Sequence, residues 1–307
     1  MIVTHDLAHL ATLERPLHLA MGVFDGVHRG HQVVIQEVID AAGAARGIPA
    51  VLTFDPFPLQ VLAPERAPQK ILAHIDHKRA LLEAMGVELM VVIPFDHAFA
   101  QLQAREFLAL LNPMGGLAQL SVGEDWKFGR GREGKLSFLS EYCAEQGIQL
   151  SATPPVMADG ERISSTRIRQ AIRDGNLQTA QDMLGRPYTL SGPVVQGDQI
   201  GRTIGFPTAN VDSKNEILPP MGVYAVRVQL GQESLRGVAN LGVRPTVGGE
   251  LAQRFEVHLF DFEREIYGAE LTVEFVAFIR GEQKFDGLGA LVEQIEKDCT
   301  IALEKMN

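Results

Sequence analysis

The chain has 307 residues, 46% of them hydrophobic and 21% charged, which suits two globular domains with separate cores. Its 28 basic and 38 acidic side chains give a formal net charge of −10, which argues against a broad nucleic-acid surface and confines anion binding to local sites. No apolar run approaches the ~20 residues that span a bilayer, the N-terminus lacks a basic segment followed by an apolar core, and Cys143 and Cys299 are too isolated for a disulfide framework or a zinc site, so a cytoplasmic chain with no membrane or nucleic-acid partner is expected.

In chain order, Leu17–Val23 reads as an apolar strand running into Met21-Gly-Val-Phe-Asp-Gly-Val-His-Arg-Gly-His31. Gly26 and Gly30 let the backbone turn tightly, and Gln32–Arg46 has the apolar spacing of an amphipathic helix. The first turn of that helix aims unpaired N–H groups and a positive dipole end at the glycine turn, a geometry that handles phosphates. His28 and His31, three residues apart at the start of that helix, can fall on one face, and both can donate to phosphate oxygens. Either histidine alone would read as a surface residue beside a turn.

Further strands are expected at Pro49–Phe54, Val87–Phe95, Gln119–Val122 and Ile148–Ala152, alternating with helices at His77–Met85, Arg105–Leu111, Ser137–Gln146 and Thr166–Arg173. This punctuation predicts an α/β, mostly parallel, doubly wound sheet, whose ligands bind beyond the carboxyl ends of the strands. Ile163-Ser-Ser-Thr-Arg-Ile-Arg169 opens the last of these helices, with Ser164 or Ser165 as N-cap and Arg167, Arg169 and Arg173 on the following turns. In isolation that is an ordinary capped helix with solvated arginines.

Asp182-Met-Leu-Gly-Arg-Pro187 combines a helix stop with proline and sets the expected boundary between domains 1–185 and 186–307. Beyond it the pattern changes to short β-branched runs at Val194–Val195, Gly222–Leu230, Leu235–Leu241, Phe255–Phe260 and Leu271–Ile279, which predict a mainly antiparallel barrel. Leu288, Leu291, Val292, Ile295, Cys299 and Ala302 follow helical spacing and predict a terminal helix docked on that barrel. Gly201-Arg-Thr-Ile-Gly-Phe-Pro-Thr-Ala-Asn210, preceded by Gly197-Asp-Gln, is no Walker A loop, for it lacks the Gly-Lys-Ser/Thr ending and opens no obvious helix. Thr208 and Asn210 nonetheless offer neutral oxygens suited to a hard cation that shares phosphate ligands. Glu256 and His258 share one face of an alternating strand.

The histidine motif and Ile163–Arg169 resemble the nucleotidyltransferase superfamily, most closely its flavin-adenylylating branch. Gly201–Asn210 resembles the riboflavin kinase motif, and further pieces of that pattern follow in order: Gly222-Val-Tyr-Ala, Asn240-Leu-Gly-Val-Arg-Pro-Thr246, Phe255-Glu-Val-His-Leu259 and Phe278-Ile-Arg-Gly-Glu-Gln-Lys-Phe285. Taken together, nearly the whole chain resembles the prokaryotic bifunctional riboflavin kinase and FMN adenylyltransferase family. That resemblance implies a Rossmann-like nucleotidyltransferase domain that transfers AMP from ATP to FMN, and a barrel domain that phosphorylates riboflavin with ATP. Riboflavin, FMN and ATP are then the small-molecule partners, Mg2+ the cofactor and FAD the product, in a monomer or weak homo-oligomer.

The resemblance also implies roles for particular residues. His28 and His31 stabilise the transferring and leaving phosphates, Gly22, Phe24, Asp25 and Gly26 form the ATP turn, and Ser164, Thr166 and Arg169 hold the triphosphate. Asp125, in Gly123-Glu-Asp-Trp-Lys-Phe-Gly129, stands near magnesium and the flavin phosphate, although a plain turn aspartate fits there too. Asp55 and Arg244 contact flavin, and Phe57 stands where many relatives carry His. In the kinase, Gly201, Gly205, Thr208 and Asn210 surround ATP and its metal, and Glu256 is the general base. An adenylyltransferase for pantetheine phosphate or nicotinamide mononucleotide shares the histidine motif but not the kinase set. A flavin-binding regulatory module would keep the pockets without turnover, and only activity separates the two.

Overall fold

The computed structural model describes residues 1–197, 200–214, 216–245 and 251–306. It divides into two compact units, Met1–Gln69 with Ile75–Ser165, and Lys70–His74 with Thr166–Asn307.

In the first unit the chain runs β1 (Ile2–Thr4), β2 (Leu17–Met21), α1 (Arg29–Ala45), β3 (Ile48–Asp55), α2 (Pro58–Leu62), α3 (Ile75–Met85), β4 (Leu89–Pro94), α4 (Ala104–Leu111), β5 (Leu117–Gly123), α5 (Leu136–Gln146) and β6 (Gln149–Thr153), then a small hairpin of β7 (Met157–Ala158) and β8 (Glu161–Arg162). The first six strands form one sheet, ordered β1-β4-β3-β2-β5-β6, with every neighbouring pair parallel. Because β2 is buried along its whole length, its side chains alternate between two cores: Leu17, Leu19 and Met21 pack towards α4 and α5, and Ala20 packs towards α1 and α3. That two-sided burial is why these strands read as continuous apolar runs. From β2 the chain winds through β3 to β4 in one direction and through β5 to β6 in the other. The carboxyl ends of β2 and β5 therefore flank the switch point where open α/β sheets bind ligands.

The second unit contains α6 (Ser165–Arg173) from its second residue, α7 (Leu177–Leu184), β9 (Thr189–Val195), α8 (Ile200–Thr203), β10 (Ala209–Val211), β11 (Gly222–Leu230), β12 (Glu233–Pro245), β13 (Leu251–Leu259), β14 (Glu270–Arg280) and α9 (Leu288–Met306). Its six strands close into an antiparallel barrel in the order β10-β13-β12-β11-β14-β9. Helix α9 docks through Cys299, Ala302 and Met306 on Val223, Ala225 and Val238. Leu288, expected in that interface, is exposed instead, because the docked stripe starts further along the helix. Arg280 anchors the helix with three bonds of 2.7–3.0 Å to the buried Asp298 carboxylate.

The segment Lys70–His74 joins the second unit through its backbone. Ile71 accepts from Ile217 N, and His74 N donates to Glu216 Oε1 at 2.8 Å. Glu216, fully buried, also accepts from Ser191 N, and the His74 ring donates from Nε2 to the Ser191 carbonyl. Arg186 lies in the same buried surroundings, which lower its pKa to about 10, opposed by Tyr188 and Glu216.

Candidate active sites

The first site begins where β2 ends. At Gly22 an added Cβ would sit 2.9 Å from the Phe24 ring, so this position admits no side chain without moving that ring. The chain then enters left-handed conformations at Phe24 (φ 51), Gly26 (φ 80) and Val27 (φ 42). For a phenylalanine and a β-branched valine this is strained backbone, offset by burying both side chains against α1 and β3. Helix α1 starts at Arg29, earlier than the apolar spacing predicts, and His28 is its N-cap: Nδ1 accepts from His31 N at 3.3 Å. The His28 and His31 rings stack with centroids 3.5 Å apart, and Phe24 meets His31 edge-on at 5.3 Å. Gly30 lies inside the first helical turn rather than at a bend, and its missing Cβ leaves room for the His28 ring 3.2 Å away.

Beneath this turn lies a lysine that the sequence pattern did not single out. Lys78 on α3 donates from Nζ to the Val23 carbonyl at 2.8 Å and to Thr53 Oγ1 at 3.2 Å. From the other side, Ser165 Oγ donates to the Asp25 carbonyl at 3.0 Å, which ties the end of Ile163–Ser165 to the turn. Helix α6 begins at Ser165, which puts Ser164 immediately before it. Thr166 is exposed on the first turn of that helix and Arg169 is buried, both in the stretch assigned to the second unit.

Around the ends of β3, β4 and β5 the first unit gathers aromatic rings. Phe54, Phe95 and Phe99 meet edge-on at 5.6–6.4 Å, and Trp126 stacks on Phe128 at 4.7 Å. Asp55 is exposed at the end of β3, and Phe57 caps α2. Asp125 is also exposed, and it pairs with Arg162 on β8 at 2.5 Å. That hydrogen bond, more than any other influence, holds its carboxyl below the usual range, against a partial opposing effect of burial.

The second site lies on the outer face of the barrel. Strand register sets Asn210 on β10 directly opposite Glu256 on β13, and Glu256 opposite Asn240 on β12, so the three share one row and one face. Arg254, two residues before Glu256 on that face, pairs with its carboxylate at 2.7 Å. Alternation along the strand is as expected, with Phe255, Val257 and Leu259 buried. Glycine makes the neighbouring loop possible by contact rather than flexibility. A Cβ at Gly197 would lie 2.2 Å from Asn210 Nδ2, and one at Gly201 would lie 2.3 Å from the Phe206 carbonyl and 3.4 Å from Thr208 Oγ1. Gly205 does need its left-handed φ of 89°. His258 Nδ1 donates to the Pro207 carbonyl at 2.8 Å and pins the loop to β13. The loop includes the short α8, where no helix was expected. Asp198, Gln199 and Thr246 of the quoted motifs, and the Arg244 side chain, lie outside the described residues.

A helix N-terminus with paired imidazoles at the switch point of a parallel sheet is the kind of place where nucleotide-using transferases take phosphate, and the barrel face sets a carboxylate between two amides. A riboflavin kinase family model matches residues 184–306 and an FAD synthetase family model matches residues 11–167. A bifunctional riboflavin kinase/FMN adenylyltransferase of Escherichia coli is 43% identical over 289 residues, covering 93% of this chain and 91% of that protein. One from Bacillus subtilis is 37% identical over 284 residues, covering 91% and 89%. A crystal structure described as a macrolide-efflux protein from Streptococcus pneumoniae superposes with a TM-score of 0.80 at 33% identity, covering 97% of this chain and 96% of that one. Among the described residues no helix is long and apolar enough to cross a membrane. The chain belongs to the bifunctional riboflavin kinase/FMN adenylyltransferase family. It phosphorylates riboflavin to FMN with ATP and adenylylates FMN with a second ATP, giving FAD and pyrophosphate.

Proposed function

We propose that residues 1–185 adenylylate FMN and residues 186–307 phosphorylate riboflavin, with the side chains of each site in the roles that follow. The observation that carries this reading is the stacked His28–His31 pair at the start of α1. With Nδ1 of His28 engaged as an acceptor, the proton of its neutral ring sits on Nε2, so the imidazole presents a donor to phosphate. As an FMN phosphate oxygen attacks the α-phosphorus of ATP, negative charge moves to the departing pyrophosphate, and the two imidazoles with the α1 dipole stabilise it. Gly22, Phe24, Asp25 and Gly26 shape the turn around the nucleotide, and Ser164, Thr166 and Arg169 supply hydroxyl, backbone and guanidinium donors to the triphosphate. Asp55 and Asp125 stand at the flavin end of this site beside the aromatic rings, and Asp125 is kept ionised by Arg162.

In the barrel, Glu256 takes the riboflavin 5′-hydroxyl proton while that oxygen attacks the γ-phosphorus of ATP and ADP departs. Asn210 and Asn240, on either side in the row, orient the carboxylate and the phosphates. Thr208 and Asn210, with Gly201 and Gly205 shaping their loop, fit magnesium: they are neutral oxygen donors, and close packing on Gly197 fixes Asn210. Magnesium held there would neutralise phosphate charge, and Asp125, an anionic oxygen donor, would hold such an ion in the first site. Arg244 contacts flavin by resemblance to the family. The chain works in the cytoplasm as a monomer or weak homo-oligomer, with no nucleic-acid partner.

A chromatographic time course of riboflavin, FMN and FAD tests the division, started once from riboflavin and once from FMN. Glu256→Gln abolishes FMN formation and leaves added FMN convertible to FAD; His28→Ala with His31→Ala lets FMN accumulate. Loss of both activities in either folded variant, or normal FAD synthesis without the histidines, overturns the assignment.

A further inference from the structure

The Val23 carbonyl stands at the last peptide before the histidine turn, and it accepts two hydrogen bonds: Lys78 Nζ at 2.8 Å and Thr53 Oγ1 at 2.9 Å. Lys78 also donates to Thr53 Oγ1, so the three groups form a closed triangle. Lys78 is only 5% exposed and Thr53 is fully buried. A lysine on an amphipathic helix ordinarily sends its ammonium to water, and enclosing it demands compensating partners. Here the Asp25 and Asp55 carboxylates favour the charge.

The residue that follows Val23 is the first of the left-handed ones, Phe24, with Gly26 and Val27 after it. Such conformations cost about 1–3 kcal/mol each in non-glycine residues and persist only where the surroundings over-determine them. A peptide held from below by two donors supplies that constraint at the point where the strain begins.

We propose that Lys78 is a positioning residue for adenylyl transfer: its enclosed ammonium, with the Thr53 hydroxyl, fixes the Val23 peptide and so holds the Phe24–Val27 turn in the geometry that presents His28 and His31 to the phosphates. The inference rests on the phosphate role assigned to those histidines. Lys78 acts through the turn and has no contact with substrate.

The test uses the full chain with ATP and magnesium, measuring FMN adenylylation and riboflavin phosphorylation for Lys78→Met, His28→Ala, their double variant, Thr53→Val and Thr53→Ser. Small displacements of catalytic groups cost about 10- to 100-fold, so Lys78→Met is expected to lower kcat for FAD formation by about that factor. KM for ATP and for FMN should shift less than about threefold, which marks a loss confined to the transition state. Riboflavin phosphorylation stays at the parent rate. Thr53→Val lowers kcat by a smaller factor and Thr53→Ser restores it. In the His28→Ala background, Lys78→Met lowers kcat by less than it does in the parent, because the part of its effect that runs through His28 is already gone. A Lys78→Met variant with parent kcat, or one whose loss multiplies fully with that of His28→Ala, overturns the inference. If Lys78→Met does not fold, the Thr53 pair decides: equal kcat in Thr53→Val and Thr53→Ser overturns it. Parent activity in His28→Ala instead overturns the histidine assignment.

Discussion

Replacing Lys78 with Met changes how the stability of the first unit responds to pH. Burial, the larger influence, lowers the pKa of this ammonium from 10.5 to about 8, and Asp25 and Asp55 oppose it. At roughly 1.4 kcal/mol per tenfold change in proton affinity, the enclosed charge takes about 3 kcal/mol from the folded state near neutral pH. The unfolded chain holds this proton more tightly than the folded one, so the penalty is complete below about pH 8 and fades as pH rises towards 10.5, the unfolded value. Stability assigned to this residue therefore increases with pH across that window. Lys78→Met has no group to titrate, so the unfolding free energy of the parent minus that of the variant should rise by about 2–3 kcal/mol between about pH 7 and 10. Trp126 is the only tryptophan and belongs to the first unit, so its fluorescence in urea titrations at each pH reports the right transition. A difference that stays flat with pH, or falls, refutes the reasoning.

Three further substitutions have defined outcomes. Glu216→Ala removes the acceptor of the His74 and Ser191 amides in a fully buried place, and should destabilise the second unit by about 2–5 kcal/mol, seen as a lower thermal midpoint for riboflavin phosphorylation. Asp298→Ala strands Nε and Nη2 of Arg280 against the middle of α9 and should cost about 3–5 kcal/mol, measured by denaturant unfolding followed by circular dichroism. Gly22→Ala drives a Cβ into the Phe24 ring and should slow FAD formation from FMN by about tenfold or more, with riboflavin phosphorylation as the unaltered internal control.

The parallel sheet was legible because β2, β3 and β4 are buried on both faces and write that burial as unbroken apolar runs. β1 escaped notice because Ile2 and Val3 are exposed on an edge, and β10 because Ala209–Val211 sits inside a motif that reads as a loop. Helix α7 shows apolar residues at Ala180, Met183 and Leu184, too short a stripe to stand out beside the Gly-Arg-Pro stop. His28 and His31 declared themselves by spacing, whereas the capping bond between them needed the true start of α1. Lys78 was silent: a lysine beside an arginine on a helix predicts solvent, and only the packing of α3 beneath the turn buries it. Asn240 and Arg162 likewise acquire their meaning from barrel register and from a hairpin with strands of two residues each.

The placement of Lys70–His74 bears on how this molecule is made and how it can be dissected. Ser191 and Glu216, which receive His74, follow it by 117 and 142 residues. During vectorial synthesis the segment leaves the ribosome long before its partners exist, and the barrel has to recapture it at the end, a closure whose entropic cost grows only logarithmically with the intervening length. A gene fragment opened at residue 186 would encode every strand of the barrel and still omit the peptide that caps the Glu216 carboxylate. A self-sufficient kinase module cut from this chain needs residues 70–74 grafted back, and no single cut point separates the two units without loss.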